Sequence, residues 1–301
     1  MSDIKKLANQ TVIYGGTTIV SRLLNYLLVP FHTYIFLDPK NYGVVGEMYA
    51  WMALLLVILT YGMETAYFRF SNVETDKKNV FSSTLWMLIS TSTLFVVLGL
   101  CFAQPIANLL HYPTHPEYIR WFVIIVAMDA ISCIPLARLR AENKAFRFAG
   151  IKISNILINI FFNIWFLWFC PLMIRHGIGI GFFTAIYHEE VGVGYIFIAN
   201  LIASVCQFLL LIASCRDIAF KVDTTLLRCM LKYAFPLLIL GLAGIVNETM
   251  DRILIKNLSA ADAEEAMRNV GIYSACFKIS VIMNLFIQAF RYAAEPYFFN
   301  Q

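Results

Sequence analysis

Leu237–Lys256, LLILGLAGIVNETMDRILIK, is long and apolar enough to cross a bilayer, yet its second half carries Glu248, Asp251 and Arg252. A crossing takes about 20 helical residues. The eleven Leu, Ile, Val and Phe residues between Phe235 and Ile255 favour insertion by roughly 3 to 7 kcal/mol, and three charges oppose it by roughly 7 to 10 kcal/mol. The sum is unfavourable against lipid. Such a helix must face other protein or a water-filled cavity, and ionisable groups placed there mark a functional site.

The rest of the chain supplies those surroundings. Its 301 residues are 60% hydrophobic and 14% charged, with a mean hydropathy of +0.70. Soluble domains are nearer 45–50% apolar and about 25% charged, so this is an all-α, multi-pass integral membrane protein. The net charge of +4 gives no footprint for nucleic acid. The seven cysteines lie in or beside apolar runs with no paired spacing, which argues against a disulfide framework or a metal site. No cofactor is expected: the alternate glycines of HGIGIG (176–181) lack the strand-then-helix setting of a nucleotide loop. The N-terminus, MSDIKKLANQ, precedes an apolar run too long for a cleaved signal, and is read as leading into a retained first helix.

Hydropathy places eight spans near 11–36, 43–70, 80–103, 118–137, 151–172, 191–214, 233–256 and 271–298. With the N-terminus in the cytoplasm, fourteen lysines and arginines count with the inner loops, Lys152 at a span's end among them, and five with the outer ones, among them Lys256. The excess of basic residues belongs inside, so that orientation is expected.

Charges within spans are the candidate site. In the first span Tyr14, Thr18, Ser21/Arg22, Asn25 and His32 recur at steps of three and four and share a face. Arg22 lies a dozen residues in, about 16 Å from the inner end and near the midplane. Glu47 lies in the outer part of the second span. Asp129 lies in the fourth at about the depth of Arg22, so the two are a possible pair, whether structural or for a coupling ion. Glu248 and Arg252 are one turn apart with Asp251 beside them, and Lys278 in the eighth span lies level with them. Arg291 can pair with Glu295 at the next turn. His111 and His115 are separated by Pro113 and make a poor metal pair.

An internal repeat emerges from these positions. Aligning NYGVVGEMY (41–49) with NVGIYSACF (269–277) offsets the chain by 228 residues, and the same offset within two brings Arg22 to Arg252. Each copy is a charged helix, a short outer loop, and Asn-x-Gly opening the next helix. The expected period is six helices, as in transporters built from repeats.

Four segments then carry a resemblance: YGMETAYFRF (61–70), IPLARLRAENKAFRFA (134–149), VGYIFIANLIAS (193–204) and FRYAAEPYFF (290–299). In combination they resemble the polysaccharide-export flippases of the MOP (multidrug/oligosaccharidyl-lipid/polysaccharide) superfamily, the Wzx-type O-antigen flippases and their relatives. The resemblance implies a MATE-like bundle of two six-helix lobes around a central cavity in the bacterial inner membrane. It implies alternating access, moving a polyprenyl-pyrophosphate-linked oligosaccharide from the cytoplasmic to the outer leaflet for O-antigen, capsule or exopolysaccharide. Relatives have twelve to fourteen helices, so eight here imply a piece of a longer protein. Its expected parts are a first lobe (1–214), a cytoplasmic linker (215–232) and two helices of a second lobe (233–301).

On that basis Arg22, Arg252, Lys278 and Arg291 are expected to bind the phosphates, and Glu47, Asp129, Glu248 and Asp251 to balance charge or carry a coupling H+ or Na+. Expected partners are the lipid-linked oligosaccharide, membrane lipids and glycan polymerase or assembly proteins. Helix 7 departs from the family's basic cavity in bringing two acids beside its arginine. Two other readings stand: a MATE-type multidrug exporter, favoured by an acidic cavity, and a membrane-embedded polymerase, ligase or acyltransferase. The short outer loops and dispersed histidines argue against an enzyme.

Overall fold

The computed structural model describes residues 2–74, 76–215, 222–259, 262–278, 280 and 283. Among the described residues every regular element is helical. In chain order they are α1 (Ser2–Ile35), α2 (Pro39–Thr60), α3 (Met63–Val73), α4 (Lys77–Cys101), α5 (Ala103–Leu109), α6 (Pro116–Ala141), α7 (Ala145–Ile164), α8 (Cys170–Arg175), α9 (Ile180–Ile186), α10 (Gly194–Ile212) and α11 (Thr224–Leu258). A further helix, α12, covers 263–278.

Six stretches among the described residues are long and apolar enough to cross a membrane: α2 with α3, α4, α6, α7 through α8, α10, and α11. They match the second to seventh expected spans. The first expected span is a helix of 34 residues, α1, which is not one of the six. Its length is sufficient for a crossing. The eighth, 271–298, is helical through 278 and lies mostly outside the described residues.

The contacts define two compact units. One joins residues 1–47 to 252–301, and the other is Met48–Asp251. The expected lobes divide the chain differently, at 214–232; α2 and α11 each begin in one unit and end in the other.

In the Met48–Asp251 unit α6 is central, packed against α3, α4, α5, α7 and α10. Its sequence is apolar nearly all round, which is the pattern of a helix enclosed by others. The long second span is broken where Tyr61 and Gly62 take positive φ, 34° and 73°. A Cβ on Gly62 would come within 2.9 Å of the Ala234 carbonyl oxygen, so the break brings the chain close under α11. There Met63, Ala66 and Tyr67 of α3 join Phe81 and Leu85 of α4, Ile134 of α6, and Met230 and Ala234 of α11 in one buried cluster. Asp223 holds the start of α11: its carboxylate accepts from the Leu226 amide (3.0 Å) and the Asn79 side-chain amide (3.3 Å).

Pro171 lacks a backbone donor, and the preceding turn, Trp165–Phe169, is a π-helix whose Cys170 N–H bonds the Trp165 carbonyl. Trp165 stacks on Phe169 there, and Phe183 meets the first at a tilt and the second edge-on.

Candidate functional site

Chemistry concentrates in one place within each unit. In the unit of 1–47 and 252–301, the first turns of α2 cross α12. Gly43 and Gly46 of α2 meet Gly271 and Ser274 of α12 so closely that there is no room for side chains. Tyr42, Val45, Met267 and Val270 are buried around them. Glu47 follows on the next turn of α2, 2% exposed. Both of its oxygens accept from the Lys256 ammonium at 2.8 Å, and the lysine side chain is itself 9% exposed.

One turn back on α11, Arg252 is buried, with its guanidinium 4.5 Å from the Phe277 ring centre and 6.0 Å from that of Tyr273. The Lys278 ammonium lies 5.4 Å from the ring centre of Tyr42. Cations over aromatic faces keep an electrostatic partner while shedding water. Arg252 and Lys278 thus lie over aromatic rings in the same unit in which Lys256 pairs with Glu47. The rim carries two more exposed pairs, Lys40–Glu264 at 2.6 Å and Arg268–Asp38 at 3.5 Å.

In the Met48–Asp251 unit a cavity of about 450 Å³ opens among α2, α3, α6, α7 and α10. Three helices turn a stripe of spacing four and three towards it: Asp129, Cys133 and Leu136 on α6, Phe148, Lys152 and Asn155 on α7, and Asn200, Ser204 and Gln207 on α10. Ser204 donates to the Asp129 carboxylate at 2.9 Å. The charge of Lys152 bears on the same carboxylate. An ion pair between Arg140 and Glu64 lies on the same wall, and Gln207 is 4% exposed. Amides, hydroxyls and compensated charges at membrane depth can hold a polar ligand, ion or water where lipid cannot enter.

The expected site residues distribute as follows. Glu47, Arg252 and Lys278 come together in one unit, and Asp129 faces the cavity of the other. Arg22 is exposed on α1, as is Asn25. Glu248 is exposed and Asp251 half-buried on α11. Arg291 lies outside the described residues. Two lysines counted as loop charges belong to the sites: Lys256 is Glu47's partner and Lys152 is the cavity's ammonium. Spacing carried both signals, since Lys256 is four residues after Arg252, and Lys152 begins a stripe continued by Asn155, Asn159 and Asn163.

A helical membrane bundle with buried charge within its spanning helices is the build of a transporter. The chain belongs to the family described as "Polysaccharide biosynthesis protein", whose profile matches residues 7–301. That is the Wzx-type flippase family of the MOP superfamily. The fold is similar to a solved structure described as the inward-facing conformation of a multidrug resistance MATE family transporter of the MOP superfamily, with a TM-score of 0.61 and 16% identity. The match covers 91% of this chain and 58% of that transporter, so the chain spans little more than half of the neighbour's length. No curated protein sequence matches.

Proposed function

We propose that this chain moves a polyprenyl-pyrophosphate-linked oligosaccharide from the cytoplasmic to the outer leaflet of the bacterial inner membrane, by alternating access between two lobes and without catalysing a covalent step. The observation that carries the reading is three cations in one unit: Lys256 bonded to the Glu47 carboxylate, Arg252 buried over Phe277, and Lys278 over Tyr42. Cations kept in a low-dielectric setting bind phosphate strongly. In this reading Arg22 and Arg291 add to the phosphate path. The sugars travel through polar surroundings while the polyprenyl tail stays in lipid. Asp129, with Glu248 and Asp251, balances charge or exchanges H+ or Na+. The excess of basic residues in alternate loops supports a cytoplasmic N-terminus.

The test is surface-glycan export in cells that depend on this protein, with Arg252→Ala and Lys278→Ala against Arg252→Lys and Lys278→Arg. Loss with alanine and retention with the conservative changes is the expected result. Normal export by well-inserted alanine variants would sink the phosphate-binding role. A cation-coupled exporter of small drugs is the second reading, and the observation favouring it is Asp129 in the cavity beside Ser204. Drug efflux that depends on Asp129 and is indifferent to Arg252 and Lys278 would establish that alternative.

A further inference from the structure

We infer that the crossing of α2 and α12 is an outer gate, that the Glu47–Lys256 pair is its latch, and that the two helices part there in each transport cycle. What passes the gate rests on the proposed function, but whether it moves does not.

The crossing is reciprocal. A Cβ on Gly43 would strike the carbonyl of Met267, and a Cβ on Gly271 would strike that of Pro39. Pro39 and Met267, like Gly43 and Gly271, are 228 residues apart, so each repeat presents the same surface to the other, as in a two-fold interface. At its centre backbone lies against backbone.

The latch is where the symmetry is broken. The same offset puts Ala275 in the place of Glu47 and Leu28 in that of Lys256, so the crossing does not owe its geometry to the ion pair. A buried ion pair is no better at holding two helices than apolar side chains of the same size. It differs when the contact opens: exposed apolar surface is penalised by water, whereas a separated ammonium and carboxylate are solvated by it. A charged contact therefore suits a face that is dry in one state and wet in another. The rim pairs Lys40–Glu264 and Arg268–Asp38 are partly exposed already and add little resistance. With the N-terminus inside, this end, where α1 leads to α2 and α11 to α12, is the outer one.

Two measurements test the gate in the intact protein. In a background with the native cysteines replaced that still exports glycan, Lys40→Cys and Glu264→Cys are joined by a short reducible bis-thiosulfonate linker. Export should stop on linking and return on reduction; unchanged export when fully linked would overturn the gate. Spin labels on the same two cysteines in liposomes should show a short and a long distance, with Glu47→Gln raising the long population at least severalfold. A single short distance that ignores Glu47→Gln would overturn it whatever the substrate. Two distances, together with normal export by Arg252→Ala, would instead reject the phosphate reading and leave the gate standing.

Discussion

Gly43 and Gly271, 228 residues apart, pack against one another, each pressing on a peptide carbonyl of the other segment, Met267 for Gly43 and Pro39 for Gly271. Those carbonyls are related by the same offset. The chain thus meets its own repeat across a local two-fold, and the Asn-x-Gly motif is where each copy gives up its side chain so that two helices can touch.

A methyl group at either glycine has nowhere to go, because the obstruction is backbone. Gly43→Ala and Gly271→Ala are each expected to cost about 1–3 kcal/mol through overpacking. Gly150→Ala is the control, since no atom lies within 4 Å of its Cβ position, and alanine in a helix should add about 0.5–1 kcal/mol. Thermal unfolding in detergent, followed by circular dichroism, should move in opposite directions for the two sites. Equal shifts would argue against the close approach.

Hydropathy made the helices legible because the bilayer demands long apolar runs. The break at Tyr61-Gly62 was not legible, since a positive φ at tyrosine is imposed by the passage under Ala234 rather than by local preference. Lys256 and Lys152 were read as loop charges for a related reason. Each sits where a span meets its end by hydropathy, and only the fold shows that Glu47 and the cavity draw them inward. Asp129 accepts a hydrogen bond from Ser204, 75 positions away on a helix whose sequence shows only an apolar run with small polar residues. Depth can be counted from a sequence, but which neighbour turns towards a given helix cannot.

Glu47 and Lys256 give a stability test separate from transport. Removing one partner of a buried pair strands the other, at about 3–5 kcal/mol. Glu47→Leu and Lys256→Met should each lower the unfolding midpoint markedly, and the double variant should recover most of the loss because neither charge remains. A double variant as unstable as the sum of the singles would mean that the two side chains do not act as a pair.

Glu142, in the loop between α6 and α7, predicts how acid affects the same measurement. Although burial pushes its carboxyl up, hydrogen bonds from Lys144 and Arg138, both at 2.6 Å, hold it below the usual carboxylate range. A depressed folded value means that its stabilisation is complete above the unfolded pKa of about 4.3 and is lost as pH falls through the folded value. Wild-type protein should lose stability over that window, and Glu142→Gln should lose less. Arg138 also donates to the Ser214 carbonyl at 3.1 Å and covers the Phe81 ring, so Arg138→Ala is expected to destabilise well beyond the loss of this pair.

Lys152 and Asp129 supply the last prediction. In the cavity one ammonium and one carboxylate offset each other, with Ser204 fixing the carboxylate. Asp129→Asn leaves Lys152 without its counter-charge, and Lys152→Met does the same to Asp129. Each is expected to reduce glycan export about tenfold or more while the helical content is retained. If the residues act as a compensated pair, the double variant Asp129→Asn/Lys152→Met removes both unbalanced charges and should export better than either single. If Asp129 instead carries the coupling ion, the double variant is no better than Asp129→Asn alone, because no carboxylate remains to bind it. Export by the three variants, normalised to the amount inserted in the membrane, separates a charge pair that shapes the cavity from an acid that drives transport.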